Sequence, residues 1–426
     1  MMIVSNMISK IHGEIKVPGD KSISHRSILL GSISKGKTEI TNFLKGDDCL
    51  STIACCRKLG IKIEEKDNKI SVYGNGALAL KEPEDILNVG NSGTTIRLLS
   101  GILAGQEFLS IITGDSSIKK RPMARITTPL KEMGTTIDGR EDGRLAPLCI
   151  RGGGLKAINY KLPVSSAQVK SAILLAGLYA DGITRVIDAS QSRDHTERML
   201  KAFGGQIDIV DNTISIKKSD LYGQAIEIPG DISSAAFFMV AAAAVPGATL
   251  KILKVGINKT RTGIIDVLKK MGAAIEIDNV YISGGEEIGD IIINGGKLFG
   301  TTIGKEIIPR LIDEIPIIAV AAALAEGKTT ITGAQELKYK ESNRIAAIVT
   351  EMKKLGIKIS ELPDGLEIEG PSIIKGGKVD SHGDHRIAMA MAICGLFTDE
   401  KVEILNSACI STSFPTFEET LKAISL

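Results

Sequence analysis

The sequence predicts an α/β fold of two lobes, each built from three repeats with helices buried inside sheets. Three observations predict it. The first is a small-residue apolar helix, a turn and a short β-branched strand, written six times: HRSILLGSISKGKTEI from His25, TIRLLSGILAGQEFLSI from Thr95, KSAILLAGLYADGITRVI from Lys170, SAAFFMVAAAAVPGATLKI from Ser234, IIAVAAALAEGKTTIT from Ile317 and RIAMAMAICGLFTDEKVEI from Arg386. The second is an amphipathic helix that stops at glycine before an alternating strand, as in RKLGIKIE, KEMGTTID, KAFGGQIDI, KKMGAAIEI and MKKLGIKIS. A shortened sixth helix falls in FEETLKAISL. Glycine suits the left-handed position that ends a helix, and period-two alternation marks the strand. Copies recur at intervals of about 65 to 85 residues, so six units of about 71 residues span the 426-residue chain. The third observation divides the six: Val17-Pro18-Gly19-Asp20-Lys21-Ser22 is echoed by Ile228-Pro229-Gly230-Asp231-Ile232-Ser233. Two crossings at these points place residues 18–229 in one lobe, and residues 1–17 with 230–426 in the other.

The elements follow from local chemistry. The helices from His25 to Ser34 and along the run from Ile232 are rich in Ala, Gly, Ser and Ile and carry no polar stripe, the mark of helices buried on every side. The run from Ile232 to Ile252 is long enough to suggest a membrane span, but Pro246-Gly247 and the strand-like ATLKI break it into helix, turn and strand.

Composition removes several function classes. Hydrophobic residues make up 43% and charged residues 24%, as in a globular protein with a large core rather than a disordered chain. The 52 Lys and Arg nearly cancel the 50 Asp and Glu, and aromatics are only 4% with no Trp, which excludes a global basic field or stacking platforms for nucleic acid. Six cysteines with no CxxC pair and no ladder of spacings speak against a zinc site or disulfide framework. The start MMIVSNMISKIHGEIKVPGD has no signal-peptide core, and a cytoplasmic protein with no membrane partner is expected.

The motifs gather at helix starts. Gly31-Ser-Ile-Ser-Lys-Gly36-Lys37-Thr38 fits the P-loop expression, but in reversed context: a P-loop runs strand, loop, helix, whereas here a helix precedes and a strand from Thr38 to Phe43 follows. Lys21, Ser22 and Arg26 in PGDKSISHR sit at a strand-to-helix junction, where unpaired N–H groups and the helix dipole favour an anion. Asn91-Ser-Gly93-Thr94-Thr95-Ile-Arg97 and Ser165-Ser166-Ala-Gln168-Val-Lys170 repeat that arrangement, and equivalent places in three repeats are expected to face one point. Arg121, Arg193, Arg344 and Arg386 flank helix starts or turns, suited to clamping carboxylate or phosphate. Asp313-Glu314 and Glu341 supply carboxylates for acid/base work. His25, His195, His382 and His385 have no metal-ligand spacing and read as structural.

Taken in order from residue 14 to about 417, PGDKSISHR, GNSGTTIRLL, RPM, SSAQVKSA, RDHTE, DEIP, KESNR and GDHRIAMA resemble the EPSP synthase (3-phosphoshikimate 1-carboxyvinyltransferase) family of shikimate-pathway enolpyruvyl transferases. The resemblance implies a two-lobed, inverse α/β barrel-like fold, three βαβαββ units per lobe, and an active site in the cleft. It implies attack of the 5-hydroxyl of shikimate 3-phosphate on C2 of phosphoenolpyruvate with protonation of C3, then loss of phosphate, feeding chorismate and aromatic amino acid biosynthesis, with no metal or organic cofactor. Carried over by motif, Lys21, Ser22, Arg26, Ser166, Gln168, Arg193, Asp313 and Lys340 hold shikimate 3-phosphate. Lys21, Gly93, Arg121, Gln168, Arg344 and Arg386 hold phosphoenolpyruvate. Asp313 is the expected base toward the 5-hydroxyl, and Glu341 and Lys21 the proton handlers at the enol carbon. A monomer closing about hinges near Pro18-Gly19 and Pro229-Gly230 on binding shikimate 3-phosphate is expected.

Two features depart or discriminate. Many relatives carry Lys where this chain has Thr412, in Cys409-Ile-Ser411-Thr412-Ser413-Phe414-Pro415, which removes one phosphoenolpyruvate contact. The family is the target of glyphosate, and Gly93 leaves room for it, while GDKS, SAQVK, RDHTE and Asn258-Lys-Thr-Arg261 resemble the subgroup often less sensitive. The rival readings are the sister enzyme acting on UDP-N-acetylglucosamine, a P-loop phosphotransferase and an inactive binding module. The sister typically has Lys-Asn in place of Lys21-Ser22 and a cysteine in the loop that here reads TGDSSIKKR. Retention of Asp313, Glu341 and Lys21 speaks against an inactive module.

Overall fold

The computed structural model describes residues 1–4 and 7–424; the parts of segment 1–17 and of FEETLKAISL that fall on residues 5, 6, 425 and 426 lie outside the described residues. The chain divides into two compact units, Gly19–Ile228 with Ile282–Glu286, and Met1–Pro18 with Pro229–Tyr281 and Glu287–Leu426.

In the unit of Gly19–Ile228, three inner helices, Lys21–Ile33, Gly93–Leu103 and Ala167–Gly177, are buried over most of their length. Small residues let them meet closely: a methyl on Gly101 would lie 2.3 Å from the Ala172 carbonyl oxygen. Three sheets surround them in one shared order. In the second, Leu87–Asn88 runs parallel to Leu109–Thr113, which pairs antiparallel with Leu145–Arg151, and that strand with Thr136–Gly139. The third repeats this with Asn159–Lys161, Ile183–Ile187, Thr213–Lys217 and Ile207–Val210. In the first, the opening parallel strand is Ala225–Glu227, from the far end of this unit's sequence, beside Lys35–Thr41. The strand His12–Lys16, which precedes the first inner helix in sequence, pairs instead with Thr249–Gly256 in the other unit.

The other unit has inner helices Ile232–Ala243, Ile315–Leu324 and His385–Cys394. Its sixth repeat departs from βαβαββ. After Gly377–Asp380, His385–Cys394, Val402–Leu405 and Phe417–Ile424 no closing strand pair follows among the described residues, and Met2–Val4 takes the vacant antiparallel place beside Val402–Leu405. The last helix is anchored by aromatic packing of Phe237, Phe238, Phe414 and Phe417, with ring centroids 5.5–6.2 Å apart.

Expected outer-helix endings are present at Gly60, Gly134, Gly204, Gly272 and Gly356, all with φ between +79° and +105°. One assignment needs correction. Residues 230–426 were expected in a single lobe, but Ile282–Glu286, the tip of the hairpin of Ala274–Ser283 and Glu286–Asn294, groups with Gly19–Ile228. There the Ser283 hydroxyl accepts from the Glu227 N–H at 2.8 Å and Glu286 bonds His195 at 2.8 Å.

The P-loop match resolves as anticipated from its order. Gly31 lies inside the first inner helix and Gly36-Lys37-Thr38 inside the strand Lys35–Thr41, slightly earlier than the expected strand. Its Lys37 pairs with Glu39 at 2.5 Å on an exposed face. No anion cradle remains there.

Candidate active site

In the unit of Gly19–Ile228, the inner helices begin at the caps Asp20, Ser92 and Ser166, whose side chains accept from the N–H groups of Ile23, Thr95 and Val169. The first turns left over carry the predicted residues. Arg26, 4% exposed, donates through Nε to the Thr196 hydroxyl at 2.7 Å, through one terminal nitrogen to the Ser171 hydroxyl at 2.9 Å and through the other to the Ser22 carbonyl at 2.9 Å. Burial lowers its pKa to about 10, with Glu197, Asp20 and Glu286 holding the charge against that and Arg193 opposing it. Gln168 accepts from Arg97 and donates to the Thr94 hydroxyl at 3.0 Å, joining the second and third helix starts. Arg121 donates to Asn91 at 2.6 Å and Ser117 at 3.3 Å. Gly93 lies directly beneath Arg121: a methyl there would sit 2.9 Å from its NH1. Lys21 is ion-paired with Asp48. Ser22, Arg26, Gly93, Arg121, Ser166, Gln168 and Arg193 thus share one end of this unit.

Sequence reasoning missed the partners that hold these groups. Asp48 and Asn91 reach Lys21 and Arg121 within their own repeats, while Thr94, Arg97 and Thr196 act across repeats; all but Asp48 sit in quoted motifs, but the motifs do not say which group each holds. Behind them His25, wholly buried, bonds Thr52 at 2.7 Å, and Thr52 bonds Thr95 at 2.7 Å. Desolvation lowers the His25 pKa to about 3, Lys21 and Arg26 adding to it and Asp48 opposing, so it is neutral at physiological pH. His195 bonds Glu286 and His382 bonds Glu351 at 2.9 Å, the structural roles expected of them.

The other unit gathers Asp313, Lys340, Glu341, Arg344 and Arg386 at the starts of its inner and outer helices. Arg344 opens the helix Arg344–Lys354 and is 1% exposed. Its Nε and NH2 reach Asp384 at 2.8 and 3.3 Å, its NH1 reaches Asp313 at 3.1 Å and its NH2 Glu341 at 2.6 Å. Burial works against the charge, but Asp384, Glu341 and Asp313 outweigh it and hold the guanidinium pKa above its ordinary value. Lys340 meets the same Asp313 oxygen at 3.2 Å. Arg386, 12% exposed at its side chain, donates to the Asp313 carbonyl at 3.2 Å and lies 3.9 Å from Glu314. One carboxylate, Asp313, therefore stands among three cations, Lys340, Arg344 and Arg386. Thr412 ends the short helix Ser407–Thr412.

A cleft lined by Lys35, Tyr179, Lys218 and Asp220 lies around the opposite, C-terminal ends of the first three inner helices and contains none of these residues.

Comparisons with known proteins identify the family. A family model described as EPSP synthase (3-phosphoshikimate 1-carboxyvinyltransferase) matches residues 5–421. A 3-phosphoshikimate 1-carboxyvinyltransferase of Alkaliphilus metalliredigens is 64% identical over 423 residues, covering 99% of this chain and 100% of that protein. One of Bacillus subtilis is 53% identical over 420 residues, 98% of each. The structure of EPSP synthase from Acinetobacter baumannii superposes with a TM-score of 0.91 at 46% identity, over 100% of this chain and 98% of that one. The enolpyruvyl transferase NikO from Streptomyces tendae shares the fold, with a TM-score of 0.79 at 16% identity over 99% and 97% of the two chains. With the family model spanning nearly the whole sequence and relatives above half identity over their full length, the chain belongs to the EPSP synthase family.

Proposed function

We propose that this chain transfers the enolpyruvyl group of phosphoenolpyruvate to the 5-hydroxyl of shikimate 3-phosphate, releasing phosphate and 5-enolpyruvylshikimate 3-phosphate. The observation that carries the reading is Asp313, a nearly buried carboxylate in reach of Lys340 and Arg344, on a chain whose other unit gathers cations and helix starts.

The chemistry explains the inventory. Two polyanionic substrates repel each other, so fixed cations must offset that repulsion and the charge that builds at the tetrahedral centre. Lys21, Ser22, Arg26, Ser166, Gln168 and Arg193, with Asp313 and Lys340, hold shikimate 3-phosphate. Lys21, Gly93, Arg121, Gln168, Arg344 and Arg386 hold phosphoenolpyruvate. Asp313 takes the proton of the 5-hydroxyl as its oxygen bonds to C2, while Glu341 and Lys21 deliver a proton to C3. Loss of a C3 proton then reforms the double bond as the C2–O bond to phosphate breaks. Arg344 is saturated by carboxylates, so its use by an anion requires exchange of at least one of Glu341 and Asp313 for substrate. Lys21 must likewise exchange Asp48.

Each chain carries both sets of groups, which supports a functional monomer. No helix among the described residues is long and apolar enough to cross a membrane, and no disulfide joins the six cysteines there, in keeping with a cytoplasmic setting.

The test is phosphate release from phosphoenolpyruvate without added metal, with shikimate 3-phosphate in one reaction and UDP-N-acetylglucosamine in the other. Release only with shikimate 3-phosphate is expected. Release only with the nucleotide sugar keeps the fold and overturns the substrate.

A further inference from the structure

We propose that Lys170 is a positioning residue for shikimate 3-phosphate: its ammonium fixes the backbone of Ser192 and thereby sets where Arg193 presents its guanidinium. The inference rests on the reading that Arg193 holds that substrate.

Lys170 lies on the inner helix Ala167–Gly177, two residues beyond Gln168, and is 2% exposed. An ammonium has three N–H donors, and here each has an acceptor: Asp188 at 2.9 Å, the Ser192 carbonyl at 2.9 Å and Glu197 at 2.7 Å. Burial works against its charge, but the two carboxylates outweigh that and raise its pKa, and the same pairing lowers that of Asp188. Asp188 in turn accepts from both the Ser192 N–H at 2.9 Å and the Ser192 hydroxyl at 2.6 Å. Every polar atom of Ser192 is therefore held by this one ion pair, immediately before Arg193. On the other side of Arg193, His195 is tied to Glu286 and Thr196 to Arg26. The loop between the strand Ile183–Ile187 and the helix His195–Ala202 is thus pinned on both flanks of the residue it presents.

Stability alone does not account for such a device. Burying an ion costs several kcal/mol, and well-packed apolar replacements of buried ion clusters are often neutral or stabilising. What the cluster supplies is a specified geometry: three fixed acceptors triangulate Lys170, and Lys170 with Asp188 fixes one backbone residue. Glu197, whose own pKa burial raises, also lies close enough to Arg26 to favour its charged state.

The experiment compares Lys170→Met, Ser192→Ala, Arg193→Ala and the Lys170→Met/Arg193→Ala double variant in steady-state phosphate release, with circular dichroism to establish folding. Ser192→Ala keeps the ion cluster and removes only the hydroxyl bond, so it reports on the loop even where Lys170→Met fails to fold. Lys170→Met is expected to raise KM for shikimate 3-phosphate about tenfold or more, with KM for phosphoenolpyruvate and kcat within about threefold, because the loop bears on one substrate. Ser192→Ala is expected to raise the same KM about two- to fivefold. In the Arg193→Ala background Lys170→Met is expected to add less than about twofold, since it acts through that residue. Effects that multiply independently, equal rises in both KM values, or an unchanged KM in Ser192→Ala overturn the proposal. If Arg193→Ala itself leaves KM unchanged, or the native chain is inactive with shikimate 3-phosphate, the underlying reading fails and takes the proposal with it.

Discussion

Replacing Asp313 by Asn tests the assignment of the base most directly, because the two side chains have the same shape and differ in charge and basicity. In the structure one Asp313 oxygen accepts from Arg344 at 3.1 Å and from Lys340 at 3.2 Å. An amide oxygen can keep both bonds. Removing one partner of a buried pair costs about 3–5 kcal/mol when it strands the other charge, but Arg344 retains Asp384 and Glu341, so a far smaller loss of stability is expected. Binding loses no cation, and the half-site becomes one unit more positive toward two anions. KM for each substrate should therefore stay within about threefold or fall. Turnover is another matter: a positioned general base contributes about 10²–10⁴-fold. At about 1.36 kcal/mol per tenfold, that is a barrier increase of about 3–5 kcal/mol. The assay is phosphate release at saturating concentrations of both substrates, with calorimetric titration of shikimate 3-phosphate alongside. A kcat within tenfold of the native value refutes the base assignment, as does a loss that resides wholly in substrate binding.

Three further outcomes follow from the geometry. Gly93→Ala sets a methyl 2.9 Å from the Arg121 guanidinium and should raise KM for phosphoenolpyruvate about tenfold while sparing shikimate 3-phosphate; an unchanged KM removes Arg121 from that site. Lys37→Ala should leave enolpyruvyl transfer within about twofold and the protein without ATP turnover, since this exposed strand residue serves no phosphate cradle; loss of activity on that change revives the P-loop reading. His25 is folded in its neutral form, its pKa lowered from 6.5 to about 3 by burial, so the unfolded chain binds the extra proton first. Its contribution is present above pH 6.5 and is lost as pH falls from there toward about 3, by at most about 5 kcal/mol; urea midpoints across that window should decline, and His25→Gln should flatten the decline.

The repeats were legible because each buries the same small-residue helix and five of the six stop the outer helix at a glycine, and both features are written in consecutive residues. The polar helix starts were legible for the same reason. What escaped was whatever depends on partners outside the local motif, whether in the same repeat or in another. Nothing around Asp48 marks it as the partner of Lys21, and Lys170 reads as one more helix residue until Asp188 and Glu197 close on it. Charge patterning names the groups but not which of many carboxylates an arginine selects. Burial of Arg344 was hidden similarly: KESNR looks like a solvated turn, and only the fold brings Asp384 from the next repeat beneath it. The place of Met2–Val4 was hidden by distance, since its partner strand lies at the other end of the chain.

The two units put the same scaffold to opposite electrostatic use. A helix start attracts negative charge, so whichever group occupies it decides what else the site can take. In the unit of Gly19–Ile228, two of the three inner helices start with neutral serine caps, and Arg26 and Arg121 donate to hydroxyl, carbonyl and amide oxygens rather than to carboxylates. In the other unit all three inner helices start at an acid, Asp231, Glu314 and Asp384, and each acid draws in a guanidinium: Arg261 at 3.1 Å, Arg386 at 3.9 Å and Arg344 at 2.8 Å. The first arrangement leaves positive ends for a substrate anion to complete. The second fills those ends with the protein's own carboxylates, and two of the arginines beside them, Arg344 and Arg386, also reach Asp313, at 3.1 and 3.9 Å, a carboxylate that caps no helix. One repeated scaffold thus has helix starts left neutral where serine caps them and paired within the protein where an acid does.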